Sequence, residues 1–260
     1  MEKRQLTRYN VEVMDFWQSP LLQKIPWLFH TTSTKDFGSL RYPNPGDLED
    51  LQKPNREKFY QEIGIDSNKV VMSGNVHGNL ITVVSSKETA QRIEGCDGLI
   101  TAEPGLTLTV KTADCLPLFF VDHKNKFIGL VHSGWLGTVK NIAAVAVEEF
   151  KKLGSNPTDL LVAIGPSIKA CHYDIKPEKL EEIKSIYPNS NNWKKYLLEK
   201  DGKVFVDLQT AVVDELLAAG VNRNNIDSNP PCTMCEPEKY FSYHATGENN
   251  SSLSVISIKS

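Results

Sequence analysis

The chain of 260 residues contains no apolar run approaching the ~20 residues of a membrane-spanning helix, which excludes a helical membrane protein. Basic residues have no excess. Against 32 Asp and Glu stand 29 Lys and Arg, a net charge of −3, and a domain that grips nucleic-acid phosphates would be basic. Cysteine is scarce and odd in number: Cys96, Cys115, Cys171, Cys232 and Cys235 do not make the paired framework of a small secreted domain. Internal repeats and low-complexity tracts are absent. Met1 to Arg8 lead into no apolar stretch, so no secretory signal is read, and a reduced, cytoplasmic protein is the expectation. The remaining composition, 40% hydrophobic and 23% charged, argues against disorder and for a buried core. With no convincing linker, residues 1–260 read as a single domain.

Ser39 to Asn55, with Pro43, Pro45, Gly46 and Pro54, reads as a long loop, and Asn55 to Gly64 as a short helix. Short β-type runs follow at 70–72, 80–84, 106–110, 118–121 and 127–131, each rich in branched or aromatic side chains and bounded by Gly, Asp or Asn. Thr138 to Leu153 has helical spacing of apolar residues with Gly154 as its stop. Leu160 to Ile164 reads as a buried strand and Pro177 to Ile186 as a helix. Asp207 caps a further helix that stops at Gly220, and Leu253 to Ile258 is a closing strand. Strands outnumber helices and do not alternate with them, which predicts α+β rather than a doubly wound fold.

Three polar breaks interrupt the strands. His77 lies in Ser73-Gly74-Asn75-Val76-His77-Gly78-Asn79, where flanking glycines make a core-packing role awkward. Lys111-Thr112-Ala113-Asp114-Cys115-Leu116-Pro117 separates two strands. In Val131-His132-Ser133-Gly134-Trp135-Leu136-Gly137-Thr138 a buried strand meets a helix, whose first amides suit an anion. Taken singly, each is explained as well by a satisfied histidine, a small buried cysteine or a glycine turn. Together, at strand ends, they point to one shared site.

These blocks resemble the signature blocks of the YfiH-like, laccase-domain purine nucleoside phosphorylases. The likeness continues through Ile164-Gly165-Pro166-Ser167-Ile168, Ala170-Cys171-His172-Tyr173-Asp174, Asp207-Leu208-Gln209, Cys232-Thr233 and Tyr240-Phe241-Ser242-Tyr243, from about residue 70 onward. The resemblance implies a single α+β domain of layered mixed sheets flanked by helices, and a zinc centre of His77, Cys115 and His132, with copper the less favoured metal. It also implies action on adenosine, inosine and methylthioadenosine: phosphorolysis to free base and ribose 1-phosphate, and deamination of adenosine. Imidazole and thiolate suit zinc, and three protein ligands leave a fourth position for water, the catalytic arrangement. Asp114, Cys115 and His132 are the expected catalytic residues, and Asn75, Trp135 and Thr138 the expected substrate contacts. Asp114 either orients a ligand, exchanges protons with substrate, or is a turn residue bonded to backbone amides.

The chain departs from the family pattern at four positions. Leu136 stands where a basic residue is usual, His244 and Ala245 replace a pair of arginines, and Asn75 replaces glutamine. Phosphate handling is therefore expected to be weakened relative to deamination. Cys232-Thr-Met-Cys235 has the pattern of a redox pair or half a zinc site but, with no second C-x-x-C, reads as structural or incidental; Cys171-His172 could add a ligand but reads as buried packing. His30, His123 and His244 read as ordinary polar residues. Two other classes stay open: a cysteine hydrolase using Cys115 and His132, and a non-catalytic metal- or nucleoside-binding module. A multicopper oxidase is disfavoured, because no His-x-His pair is present to hold a copper cluster.

Overall fold

The computed structural model describes residues 14–43, 47, 49–186 and 191–259. The expected signal-free segment Met1 to Arg8 and part of the Ser39 to Asn55 loop lie outside them. No helix among the described residues is long and apolar enough to cross a membrane.

Two six-stranded sheets face each other. One runs edge to edge through Phe16–Trp17, Leu28–Ser33, Ser252–Ile258, Thr107–Thr112, Val70–Ser73 and Arg92–Ile93. The other runs through Ile226–Asp227, Leu160–Ile164, Leu116–Asp122, Phe127–Ser133, Gly98–Thr101 and Ile81–Val83. Both mix parallel and antiparallel pairs; Val70–Ser73 is parallel to Thr107–Thr112, and Leu160–Ile164 is parallel to Ile226–Asp227. A small third sheet joins Asp174–Ile175, Lys203–Val206 and Leu197–Lys200.

The strand sequences explain the layering. In Leu116–Asp122 every residue is buried, so alternate side chains serve two cores. Phe119 and Val121 join Val71, Leu108 and Ile256 between the sheets. Leu116, Leu118 and Phe120 face the helices Ile142–Lys152 and Leu208–Ala218. On the far side of the first sheet, Val70, Leu253 and Val255 pack with Phe59 and Tyr60 of helix Lys53–Glu62. The order is helix, sheet, sheet, helix: the predicted α+β class, in the layered mixed sheets that the resemblance implies. Asp207 caps its helix as expected, accepting from the Thr210 N–H at 2.9 Å.

One expected element is different. The single helix over Thr138 to Leu153 is two, Trp135–Val139 and Ile142–Lys152, separated by Asn141 in the left-handed region at φ 57°. Asparagine tolerates that conformation better than most residues, and the break lets the first short helix begin at Gly134, beside His132 and Cys115.

Glu215 rests against the start of Ile142–Lys152, its carboxylate accepting the Ala143 N–H at 3.1 Å. Burial pushes its pKa up to about 8, outweighing the backbone N–H groups that favour the charged form. The folded state thus keeps a proton that the unfolded chain releases near 4.5, so this residue's contribution to stability falls as pH rises from about 4.5 to about 8. Glu215→Gln is expected to melt higher than the parent at about pH 8 and at the same temperature near pH 4, checked by thermal unfolding at both values.

Candidate metal centre

Two of the three polar breaks are the places where the chain crosses from one sheet to the other. His77 lies between Val70–Ser73 and Ile81–Val83, and Cys115 between Thr107–Thr112 and Leu116–Asp122. His132 is on Phe127–Ser133, directly opposite Pro117 on the neighbouring strand. The crossings converge at one end of the sandwich. One ligand atom from each of His77, Cys115 and His132 lies within 4.8 Å of the others. The two imidazoles meet edge to face, with centroids 4.8 Å apart.

The loops are held in demanding conformations. Asn75, His77 and Asp114 have φ of 54°, 59° and 89°, a region costing a non-glycine residue roughly 1–2 kcal/mol. Asp97, fully buried, offsets that at His77. Its Oδ1 accepts the His77 N–H at 2.9 Å and pairs with His132 Nδ1 at 2.8 Å, while Oδ2 accepts the Gly78 N–H at 2.7 Å. One carboxylate therefore anchors a ligand loop and a ligand ring. It leaves His132 Nε2 as the nitrogen for a metal, the carboxylate–histidine arrangement common around zinc. Burial works against the Asp97 charge, but the His132 ring and the two N–H donors outweigh it and hold its pKa below the usual range. Burial likewise opposes ionisation of Cys115, yet the imidazoles of His132 and His77 bring the thiol down. His132 is displaced upward, because the Cys115 sulfur and Asp97 overcome its burial. Both shifts favour a thiolate beside an imidazolium, a donor set from which a metal displaces the proton.

Gly134 makes room for this cluster. A Cβ there would sit 2.9 Å from His77 Cδ2 and 3.1 Å from Cys115 Sγ. Gly134→Ala is expected to fold with near-native stability but to weaken metal binding by about 10–100-fold, the size of effect seen when ligand support is disturbed. Competition against a chelator of known affinity measures it.

Asp114 has its carboxylate engaged on both oxygens: Oδ1 accepts the Thr233 hydroxyl at 2.6 Å and Oδ2 the His244 backbone N–H at 2.7 Å. Its own carbonyl accepts the Ile168 N–H at 2.9 Å. Asn75 donates to the Lys111 carbonyl at 2.7 Å and contacts the Ser73 hydroxyl. Asn75, His77, Lys111, Cys115 and His132 line one cavity of about 370 Å³, with Tyr243 and Asn250 also on its wall. Trp135 and Thr138 are not among its lining residues. Trp135 packs against the helical core with the Lys179 ammonium over its ring, and the Thr138 hydroxyl is spent on Ser133 and the Gly134 carbonyl.

Sequence reasoning missed several neighbours. Asp97 carried a faint signal, a charge next to the wholly buried strand Gly98–Thr101. His244 is exposed, and its Nε2 pairs with Asp174 at 2.8 Å while its ring meets Tyr173. His30, by contrast, is buried, its ring nitrogen accepting the Ser19 N–H at 2.9 Å. Cys171-His172 is not buried packing; it meets Cys232 and Cys235 at the surface.

The family model described as multi-copper polyphenol oxidoreductase laccase matches residues 30–259. The chain is 31% identical over 199 residues to adenosine deaminase RL5 of an unknown prokaryotic organism, spanning 73% of this chain and 74% of that protein. It is also 31% identical over 199 residues to purine nucleoside phosphorylase YlmD of Geobacillus stearothermophilus, with coverage of 73% and 72%. The crystal structure of YlmD from Geobacillus stearothermophilus superposes with a TM-score of 0.80 at 27% identity, over 93% of this chain and 94% of that one. That of the Bacillus licheniformis hypothetical protein YfiH gives 0.78 at 28% identity, over 94% and 99%.

Proposed function

The chain belongs to the family described as multi-copper polyphenol oxidoreductase laccase, and from that premise we propose that it is a zinc-dependent purine nucleoside enzyme. Relatives in this family are named for purine nucleoside phosphorolysis and adenosine deamination. The reading rests on one observation above the rest: His77, Cys115 and His132 converge in a single cavity that also contains the ammonium-bearing Lys111.

The donor set fits zinc. Two imidazoles and a thiolate lie within 4.8 Å, one ring is oriented by a buried carboxylate, and Gly134 leaves the sulfur unobstructed. It does not fit a multicopper oxidase. Beyond His77 and His132 the remaining histidines are dispersed: His30 is sealed between Trp17 and Phe119, His123 bonds the Asp159 carbonyl, His172 lies among cysteines, and His244 pairs with Asp174. When bound, zinc supplies a Lewis acid able to bring the pKa of a coordinated water to ~7.

The chain's own groups do the rest. Asp97 fixes the two histidines. Asp114, engaged on both oxygens by Thr233 and His244, positions Cys115 and holds the 242–245 turn against the cavity. Asn75 shapes the wall beside Lys111. Lys111 is the cation for phosphate. Burial lowers its pKa, and the nearby guanidinium groups of Arg92 and Arg41 push the same way, while Leu136 and Ala245 have no charge to offer.

The test is to incubate the zinc-loaded protein with adenosine, with and without phosphate, and separate the products. Adenine with ribose 1-phosphate marks phosphorolysis, and inosine with ammonia marks deamination; neither product overturns the proposal. A second reading is favoured by the alignment Asp97–His132–Cys115, which matches a cysteine nucleophile, its base and an orienting carboxylate. A covalent adduct at Cys115 formed from an acyl substrate by metal-free protein would support it.

A further inference from the structure

We propose that Cys171, His172, Cys232 and Cys235 form a second zinc site, closed and structural, distinct from the cavity of His77, Cys115 and His132. The four residues come from two connections far apart in sequence. Cys171 and His172 follow strand Leu160–Ile164, while Cys232 and Cys235 follow Ile226–Asp227. Those strands are parallel neighbours, Val162 opposite Ile226, so both connections leave the sheet at the same end. They are then stitched together: Ser167 donates to the Pro231 carbonyl at 3.2 Å, and Thr233 donates back to the Ser167 carbonyl at 3.1 Å. The Cys235 N–H closes a turn on the Cys232 carbonyl at 3.1 Å, which brings both thiols of the C-x-x-C to one side.

The separations are those of a tetrahedron around a metal. Cys171 Sγ lies 3.7 Å from Cys232 Sγ and 3.7 Å from Cys235 Sγ. His172 Nδ1 lies 3.2, 3.7 and 3.6 Å from Cys171, Cys232 and Cys235. With Zn–S near 2.3 Å and Zn–N near 2.0–2.1 Å, tetrahedral angles require about 3.8 Å between sulfurs and about 3.6 Å between sulfur and nitrogen. Disulfide bonding would bring two sulfurs to ~2.05 Å, and all five cysteines are free. Hydrogen bonding does not explain the group either. A single imidazole nitrogen carries at most one proton, yet three sulfurs surround this one.

Four protein ligands leave no position for water, so the site would stabilise rather than catalyse. Its location gives the stabilisation a purpose. Thr233, next to Cys232, holds the Asp114 carboxylate, and Asp114 precedes Cys115. Tyr173, next to His172, lies against the ring of His244, whose backbone N–H is the other donor to Asp114. The clamp thus lies beside both groups that hold the Asp114 carboxylate.

Metal counting tests the proposal. The purified protein, saturated with zinc and freed of excess, is expected to carry two equivalents per chain. His77→Ala should retain one, Cys235→Ser one, and the double variant none. A count unchanged by Cys235→Ser, or a parent holding one equivalent that His77→Ala removes entirely, would overturn it. Should the cysteine variant fail to fold, the cobalt(II)-loaded His77→Ala protein decides. Strong near-ultraviolet thiolate-to-cobalt absorption is expected from three sulfurs, and its absence rules the site out. Because these readouts are metal content and spectra, they stand whether or not the chain turns over nucleosides.

Discussion

Replacing Cys115 with alanine is expected to strip the cavity of its metal and to lower turnover of adenosine by about three powers of ten. That is the several kcal/mol a Lewis acid contributes to such a reaction. Cys115 is the only sulfur that the cavity group contributes, and it lies against two imidazoles that hold it ionised. His77→Ala should behave alike, because a single neutral ring and a thiolate leave zinc two ligands short of a tetrahedron. Elemental analysis and product chromatography on the same preparations read both effects. Since the Cys171 cluster does not depend on Cys115, the variant should keep that equivalent of zinc and fold normally. Turnover undiminished in a protein whose cavity has lost its metal would remove zinc from the mechanism.

The second large effect is expected at Lys111 and should be selective. Lys111→Met removes the ammonium group that lines the cavity while preserving the length of the side chain. A charge-assisted hydrogen bond to phosphate is worth ~1.5–3 kcal/mol, so phosphate-dependent release of adenine should fall by roughly 10- to 100-fold. Inosine formation, which involves no anion, should change little. Titrating phosphate at fixed adenosine separates the two, because the loss should appear as a weaker phosphate dependence. An equal fall in both products would place Lys111 in the general architecture of the cavity and leave phosphate to Arg92 or Arg41. Because burial and the neighbouring guanidinium groups already lower its pKa, the parent's phosphate affinity should also decline as the solution becomes alkaline.

Much of this molecule is local, and what is local was legible. Helix Leu208–Ala218 follows from Asp207 as its cap and from apolar residues at helical spacing, with Gly220 just beyond its end. Leu160–Ile164 follows from five apolar residues in a row, because a strand buried on both faces has no polar side to show. His77, Cys115 and His132 stand out because each interrupts such a run with a residue the core would not choose. The broken helix at Asn141 is not legible, since apolar spacing continues across it and a left-handed asparagine leaves no mark on that periodicity.

Two decisions belong to the tertiary structure alone. Asp97 is one carboxylate among 32 acidic residues until the pairing of Gly98–Thr101 with Phe127–Ser133 sets it against His132. Cys171-His172 and Cys232-x-x-Cys235 are separate pairs, each short of a full ligand set, until two parallel strands deliver their connections to one end of a sheet. Residue type and spacing determine which segments coil or extend, and which side chains are chemically able to bind a metal. Which of those side chains meet depends on strand order and register, and these are settled by how the apolar faces of all the elements pack at once.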